Sequence, residues 1–283
     1  MHEEIRASRL RVTRRRALSI GGTLGLGGFL AACGGDGGGT TTVETSAGTT
    51  ATVQPSTTAA SDVVALLDRA ATCTLAQEET QGPYWFDVDS IRSDVREDRP
   101  GTRLELALRV QDMSQCEAGG EAAPVANAVV EIWHCDAGGS YSGFESGAMG
   151  PPGDAGSGET SDGSYSQGDS EATTSDDGTY LRGAQATDRN GVAQFTTIYP
   201  GWYQGRTVHI HLKVHVDKRT VLTTQLYFDE ALNDEVFATA PYDERGGRDM
   251  TNDSDGIFDP VGLLDVSRED DGYLGVINLG VNA

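Results

Sequence analysis

Two histidines in the C-terminal third of the chain, His209 and His211, have the spacing of metal ligands. Side chains alternate between the two faces of a β-strand, so both imidazoles would point to the same side. Tyr203 and Arg206 lie just upstream of the pair. Imidazole nitrogen and phenolate oxygen together suit an oxidised transition metal, ferric iron above all. Three such ligands are too few for a closed site, so a further ligand is needed.

The best further candidate is Tyr141. It follows an apolar run at residues 128–133 and the glycine pair at 138–139. The run predicts a strand and the glycines predict a turn, which would place the phenol just beyond the strand end. The candidate metal site therefore consists of Tyr141, Tyr203, His209 and His211.

Four motifs in a fixed order resemble those of the intradiol ring-cleavage dioxygenases, a family that includes protocatechuate 3,4-dioxygenase and catechol 1,2-dioxygenase. They are T-x-G-P-Y at residues 80–84, W-x-x-x-x-x-G-x-Y at 133–141, T-I-x-P-G-x-Y at 197–203 and R-x-x-H-I-H at 206–211. The chain lacks the helical dimerisation segment of catechol 1,2-dioxygenases. Unlike the two-chain protocatechuate enzymes, it carries the T-x-G-P-Y element and the metal ligands on one chain. It is most similar to a secreted, single-chain branch of the family.

The resemblance implies an Fe³⁺ enzyme that uses O₂ to open a catechol ring between its two hydroxyl-bearing carbons, giving a muconate-type diacid. It implies that Tyr203 leaves the metal when substrate binds, whereas the other three ligands remain. It implies that Arg206 stabilises negative charge developing beside the ring. It also implies a substrate pocket formed by Gly82, Pro83, Tyr84 and Trp133.

Two other classes of protein remain open on the residues alone. One is a non-catalytic module that binds a carbohydrate or another extracytoplasmic ligand on the same surface. The other is a different metal enzyme, such as a cupin or an Fe(II) extradiol dioxygenase, which would use two histidines and a carboxylate. No glutamate follows His211 at the required spacing, and the two tyrosines would then have no role.

Three further polar features are not predicted to bind the metal. His134 should face away from Trp133, its neighbour on the strand. His215 shares the parity of His211 but lies about 13 Å further along the strand. Residues 252–256 have some features of a calcium loop but lack its downstream glutamate, so they are interpreted as a turn.

The N-terminus has the features of an export signal. Arg14, Arg15 and Arg16 precede a weakly apolar run that ends in Leu-Ala-Ala-Cys33. Paired arginines are typical of twin-arginine export, and a cysteine at the cleavage point is typical of lipid attachment. An ordinary Sec lipoprotein signal is the alternative. We therefore expect residues 1–32 to be removed and the protein to lie outside the cytoplasm, anchored by a lipid on Cys33.

Charge argues against a nucleic-acid partner. The chain carries a formal charge of −22. The first 32 residues hold six arginines and two glutamates, so their removal makes the remainder still more acidic. Such a surface repels nucleic acid and anionic lipid. Any membrane association is therefore expected through the lipid alone.

The folded part is predicted to be an all-β antiparallel sandwich of the intradiol dioxygenase type over residues 62–283, with a short N-terminal helix and long loops. Residues 33–61 are rich in Gly, Ser and Thr and predict a flexible tether. A helix is predicted over residues 62–71, and several short alternating runs predict strands. The polar run at residues 145–178 is predicted to be a disordered insertion. Of the cysteines, Cys73 is expected to pair with either Cys116 or Cys135.

Overall fold

The computed structural model describes residues 41–44, 50–53, 57–70, 73–88, 90–116, 122–145, 160–162 and 165–283. The predicted export signal and Cys33 lie outside these ranges. Within them, no helix has the length and apolar character needed to cross a membrane.

Strands dominate the described part of the chain, with two short α-helices. In chain order the strands are β1 Thr41–Glu44, β2 Thr50–Val53, β3 Arg103–Asp112, β4 Ala123–Pro124, β5 Val129–Trp133, β6 Thr160–Asp162, β7 Gln167–Ser170, β8 Arg182–Ala186, β9 Val192–Ile198, β10 His209–Val216, β11 Arg219–Tyr227, β12 Asp265–Glu269 and β13 Gly272–Val281. The helices are α1 Ser61–Leu67 and α2 Glu230–Phe237. Single 3-10 turns lie at Met113–Gln115, Tyr242–Glu244, Asn252–Ser254 and Pro260–Gly262.

Two sheets form a sandwich, which confirms the predicted fold class. The first has the antiparallel order β11-β10-β5-β8. The second has the order β12-β13-β3-β4, with β9 also paired to β3. One pairing differs from the expectation of a purely antiparallel sandwich, because β13 runs parallel to β3.

The alternation of β10 determines where chemistry can occur. Ile210, Leu212 and Val214 belong to the apolar cluster between the sheets, together with Leu106 and Leu108 of β3. The odd-numbered residues of β10 therefore face away from this core, and they are His209, His211, Lys213 and His215. All four are nevertheless buried. Loops and segments from elsewhere in the chain must cover the outer face of this sheet.

The outer face of the second sheet is covered by α1. Leu67 packs against Ala107 and Val276, and Nη1 of Arg109 donates to Oδ1 of Asp68 at 2.8 Å. This helix ends at Leu67, four residues before the predicted end.

Two segments expected to lack structure contain strands. In the predicted tether, β1 and β2 pair antiparallel, in keeping with the β-propensity of their threonines and valines. In the predicted insertion, residues 165–178 pack on the first sheet. Oη of Tyr165 donates to Glu131 at 3.1 Å, and the backbone N–H of Ala172 donates to the carbonyl of Trp85 at 2.7 Å. This segment docks through hydrogen bonds rather than aliphatic side chains, so its polar composition gave no indication of order.

The disulfide joins Cys73 to Cys116, one of the two pairings left open by the sequence. The Cα atoms lie 5.5 Å apart. Cys135 is a buried free thiol whose sulfur lies 3.4 Å from the carbonyl oxygen of Gly201.

Candidate active site

His209 and His211 of β10 meet at one point on the outer face of the first sheet. Their Nε2 atoms lie 3.2 Å apart. Nδ1 of His209 lies 2.7 Å from the carbonyl oxygen of Thr207, which can only accept, so the ring carries its proton there and Nε2 keeps a free lone pair. Burial lowers the pKa of His209 to about 3 and the pKa of His211 well below its usual value. Both imidazoles are therefore neutral, as metal ligands must be.

Both predicted tyrosine ligands reach the same point. Oη of Tyr203 lies 3.1 Å from Nε2 of His209, and Oη of Tyr141 lies 3.4 Å from it. The two rings are arranged edge to face with centroids 5.8 Å apart. Burial raises the pKa of both phenols, most strongly that of Tyr141. The metal-free phenols are therefore neutral.

This donor set fits a hard, highly charged cation. Two neutral imidazoles and two phenols converge within hydrogen-bonding distance, and a bound cation would be the largest local charge, able to displace the phenol protons. Among the described residues, no group of three or more His, Cys, Asp and Glu side chains could hold a metal ion. A two-histidine, one-carboxylate site is thus absent from the described chain, and a metal here would depend on the phenols.

Two motif glycines bring the tyrosines together. A Cβ atom on Gly139, which has φ +83°, would overlap the carbonyl oxygen of Trp202. A Cβ atom on Gly201 would overlap the carbonyl oxygens of Asp136 and Ala137. The loop that carries Tyr141 and the loop that carries Tyr203 therefore touch backbone to backbone, a contact that a side chain at either position would separate.

The residues predicted to form the pocket surround the ligands. Trp133 stacks on His211 with ring centroids 5.0 Å apart and an angle of 4° between the ring planes. Their positions are opposite in the β5–β10 register. Tyr84 stacks on Tyr141 at 4.6 Å. A Cβ atom on Gly82 would lie 3.2 Å from Cε1 of His211, so the backbone of the T-x-G-P-Y stretch passes over that ring, with Pro83 half-buried between Gly82 and Tyr84.

Arg206 is fixed beside the ligands by two side chains. Its Nε donates to Oδ2 of Asp255 at 2.8 Å, and its Nη2 donates to Oε1 of Gln225 at 2.6 Å. Its side chain is 13% exposed, so it is not part of a solvated surface ion pair. Gln225 lies opposite His211 in the β10–β11 register. The guanidinium is thereby held at the edge of the site.

Sequence reasoning missed Gln225 and Asp255. Gln225 is brought to the site by strand register, which has no local signature. Asp255 belongs to the segment interpreted only as a turn, and it does follow a 3-10 turn at Asn252–Ser254. It is nevertheless the carboxylate that orients Arg206.

Arg182 of β8 is a further buried cation near the site. Its Nε and Nη2 donate to the side chain and backbone oxygens of Ser142, the residue after Tyr141, at 2.8 and 2.9 Å. Its guanidinium lies 6.0 Å from the centroid of the Tyr141 ring. The run Tyr-Leu-Arg-Gly at residues 180–183 was visible in the sequence, but nothing in it indicated this contact.

The other two histidines of this region, His134 and His215, contact groups outside the candidate metal site. Nε2 of His134 lies 2.7 Å from Oγ1 of Thr197, on the opposite side of the strand from Trp133. Nδ1 of His215 lies 3.1 Å from Oγ1 of Thr220, and its Nε2 lies 3.4 Å from Oε2 of Glu131. Neither imidazole joins the cluster of Tyr141 and its partners.

Comparisons with known proteins bear on the family to which this chain belongs. A protein-family model described as Dioxygenase matches residues 81–253. The solved structure of an intradiol ring-cleavage dioxygenase from Tetranychus urticae is 31% identical with a TM-score of 0.63, and the match covers 74% of this chain and 95% of that chain. The dioxygenase domain of a dioxygenase–carbohydrate-binding protein fusion from the cellulolytic bacterium Streptomyces sp. SirexAA-E is 25% identical with a TM-score of 0.49, covering 74% and 99% respectively. No curated protein sequence matches the chain.

The family match includes every predicted ligand and the pocket residues Gly82, Pro83, Tyr84 and Trp133. It covers more than half of the chain, and the Tetranychus structure adds a shared fold at an identity above 30%. The resemblance inferred from four short motifs is confirmed, and the chain belongs to the intradiol ring-cleavage dioxygenase family.

Proposed function

We propose that this protein is an Fe³⁺-dependent dioxygenase that cleaves a catechol between its two hydroxyl-bearing carbons and releases a muconate-type diacid. The observation that carries the proposal is the convergence of Tyr141, Tyr203, His209 and His211 on one point. Two phenolates and two neutral imidazoles would leave a ferric site with a net charge of about +1. Such a site attracts a catecholate while remaining a Lewis acid.

When bound, ferric iron would supply a Lewis acid that can accept electron density from a catecholate, which makes the ring reactive toward O₂. Both atoms of O₂ end in the diacid, so the reaction needs no external reductant. The surroundings of the ligands supply the remaining functions. Trp133 and Tyr84 would hold the ligand rings of His211 and Tyr141 in place by stacking on them.

Two residues would accept the substrate proton and stabilise the developing negative charge. Tyr203 is half-buried whereas Tyr141 is buried, so Oη of Tyr203 is the better placed acceptor for a proton from a substrate hydroxyl. Burial lowers the pKa of Arg206, but the charge and hydrogen bond of the Asp255 carboxylate help to raise it above its ordinary value, so Arg206 remains cationic. A fixed guanidinium would stabilise negative charge as it develops on the ring and the oxygens.

The site is proposed to work outside the cytoplasm, since the N-terminal sequence has the features of an exported lipoprotein. Its small-molecule partners would be a catechol and O₂. Replacement of Cys33 by alanine should move the protein from the membrane fraction to the soluble fraction. Retention of the variant in the membrane would contradict a lipid anchor at this residue.

The first experiment is a visible spectrum of the purified protein loaded with ferric iron, before and after catechol is added without oxygen. Tyrosinate bound to ferric iron gives a strong charge-transfer band, which should shift to longer wavelength when catechol binds. Tyr203→Phe and Tyr141→Phe should each weaken the band. Tyr199→Phe is the matched control, because Tyr199 is a buried core tyrosine bonded to Asn233 at 2.8 Å.

Oxygen uptake with catechol then tests turnover. Wild type should consume O₂ and form a diacid, and Tyr203→Phe should abolish turnover. A protein that stays colourless after ferric loading, or a coloured protein that binds catechol without consuming oxygen, would refute the proposal. The second result would favour a binding module that retains the ligand set.

A further inference from the structure

A second cluster of buried charged groups lies on the same sheet face, immediately beyond the ligands. Lys213 follows His211 at the next outward position of β10 and is 1% exposed. It lies opposite Glu131 in the β5–β10 register. Its Nζ donates to Oδ2 of Asp169 on β7, and the same oxygen accepts from Oγ1 of Thr220 at 2.8 Å. The Lys213–Asp169 pair joins the sheet to the segment that covers it.

Such a pair is not explained by local stability alone. Transfer of two charges from water to a buried site costs free energy that their attraction often does not exceed, and an apolar pair is frequently as stable. Lys213 contacts more than Asp169, however. Its Nζ lies 3.5 Å from the centroid of the Trp85 ring, whose Nε1 donates to Oε2 of Glu131 at 3.0 Å.

The covering segment is joined to the pocket wall at two more points. The backbone N–H of Ala172 donates to the carbonyl of Trp85 at 2.7 Å, and Nε2 of Gln81 donates to the carbonyl of Ser170 at 3.0 Å. Residues 81 and 85 flank the stretch that lies over the ligands. A Cβ atom on Gly82 would lie 3.2 Å from Cε1 of His211, and Tyr84 stacks on Tyr141.

We infer that Lys213 is a positioning residue for the substrate pocket. It holds Asp169 and the face of Trp85 together, and thereby fixes the wall formed by residues 81–85 over the metal ligands. It touches neither a substrate nor the reacting atoms. Its effect on turnover rests on the proposed function, whereas its effect on the position of the wall does not.

The test uses Asp169→Asn and Lys213→Met. The first removes the acceptor charge, and the second removes the ammonium but keeps most of the aliphatic stem. The matched control is Asp68→Asn, which removes the carboxylate partner of another buried cation, Arg109, on the opposite sheet. If Lys213→Met does not fold, Asp169→Asn decides the question, because the Asp169 side chain is 21% exposed and easier to replace.

Hydrogen exchange of the iron-free protein measures how well the wall is ordered, and the measurement does not depend on catalysis. Both variants should raise exchange about tenfold in the peptides covering residues 166–172, which include the Ala172 amide, and in residues 84–88. Asp68→Asn should raise exchange in α1 only. Exchange in residues 166–172 and 84–88 that is unchanged from wild type would overturn the inference, whatever the enzyme does.

Kinetics then separate positioning from simple destabilisation. At a temperature well below unfolding, Asp169→Asn should lower kcat/KM for catechol about tenfold, mainly through KM, with iron content unchanged. The dissociation constant of the anaerobic catechol complex should rise in parallel. Unchanged KM and unchanged catechol affinity, despite a loss of stability like that of Asp68→Asn, would make the pair purely structural. If wild type does not cleave catechol, the proposed function fails, while the exchange result still tests the wall.

Discussion

Glu79 lies beside the candidate site, and its burial should make the stability of the protein depend on pH. It immediately precedes the T-x-G-P-Y stretch, and its Oε2 accepts from Oη of Tyr227 at 2.6 Å. Its Oε1 is buried without a hydrogen-bond partner among the described residues. Tyr227 lies opposite His209 in the β10–β11 register. Burial raises the pKa of Glu79 from 4.5 to about 7.

The sign of the effect on stability follows from these two values. Between pH 4.5 and about 7, the unfolded chain loses the Glu79 proton while the folded protein keeps it, so the contribution of this residue falls as pH rises. Above pH 7 both states are ionised and the loss is constant. Taken at full strength, the difference between these two pKa values corresponds to a loss of stability of about 3 kcal/mol. Because the side chain is only half-buried, solvent screening reduces it to roughly 1–2 kcal/mol.

Glu79→Gln should therefore stabilise the protein at pH 8 by roughly 1–2 kcal/mol and change its stability little at pH 4. The glutamine oxygen can still accept from Tyr227, and the amide cannot ionise. Urea unfolding of the iron-free protein, followed by tryptophan fluorescence, gives the free energy of unfolding at each pH. Other titrating groups cancel in the difference between variant and wild type.

Glu78→Gln is the matched control, since Glu78 is the exposed neighbour and its Oε2 accepts from the backbone N–H of Thr223 at 3.2 Å. It should show no such gain at pH 8. A Glu79→Gln variant that is no more stable than wild type at pH 8, or that gains equally at pH 4, would refute the burial argument.

Two further perturbations test other parts of the structure. Asp255→Asn should lower the free energy of unfolding by about 3 kcal/mol at pH 7, because one amide oxygen cannot replace both carboxylate oxygens toward Arg206, Thr207 and Ile257. Urea unfolding should show the difference shrinking as pH falls below 3.8, since the backbone donors and Arg206 outweigh burial and lower the pKa of Asp255; a pH-independent difference would contradict this linkage. Replacing Cys73 and Cys116 by serine should cost about 4 kcal/mol, from the entropy of a loop with a sequence separation of 43 residues, and leave the charge-transfer spectrum of the iron-loaded protein unchanged. Thermal unfolding checks the loss of stability, and the visible spectrum checks the site. A changed spectrum would show that the disulfide also supports the site.

The convergence of the four candidate ligands was predictable because its determinants are local in the sequence. Alternation along one strand places His209 and His211 on one face, and the motif glycines at 139 and 201 report backbone contacts that only glycine allows. The strand that ends at Trp133 has an apolar pattern that favours a buried position. Each of these signals is contained within a dozen residues. They can therefore be recognised in the sequence before the fold is known.

The partners of the ligands were not predictable because they depend on register and on distant loops. Gln225 reaches Arg206 only through the pairing of β10 with β11, and Asp255 lies 49 residues beyond Arg206 in a turn with no catalytic signature. Asp169 lies in a polar run whose composition is typical of disorder. Its order comes from the buried side chains of Lys213 and Tyr165 and from backbone hydrogen bonds, none of which a composition argument detects.

The two phenols have the same chemistry but unequal freedom to move. Tyr141 is buried between the Tyr84 ring, 4.6 Å away, and the Arg182 guanidinium, which also holds the following residue, Ser142. Tyr203 is half-buried and precedes a turn that contains Gly205 at φ +86°. A Cβ atom on Gly205 would have nothing within 4 Å. Swinging Tyr203 outward would break its edge-to-face contact with Tyr141, whereas moving Tyr141 would also break the stack on Tyr84 and uncover the Arg182 guanidinium. We therefore expect Tyr203 to be the phenol that gives way to a substrate and Tyr141 to be the one that stays.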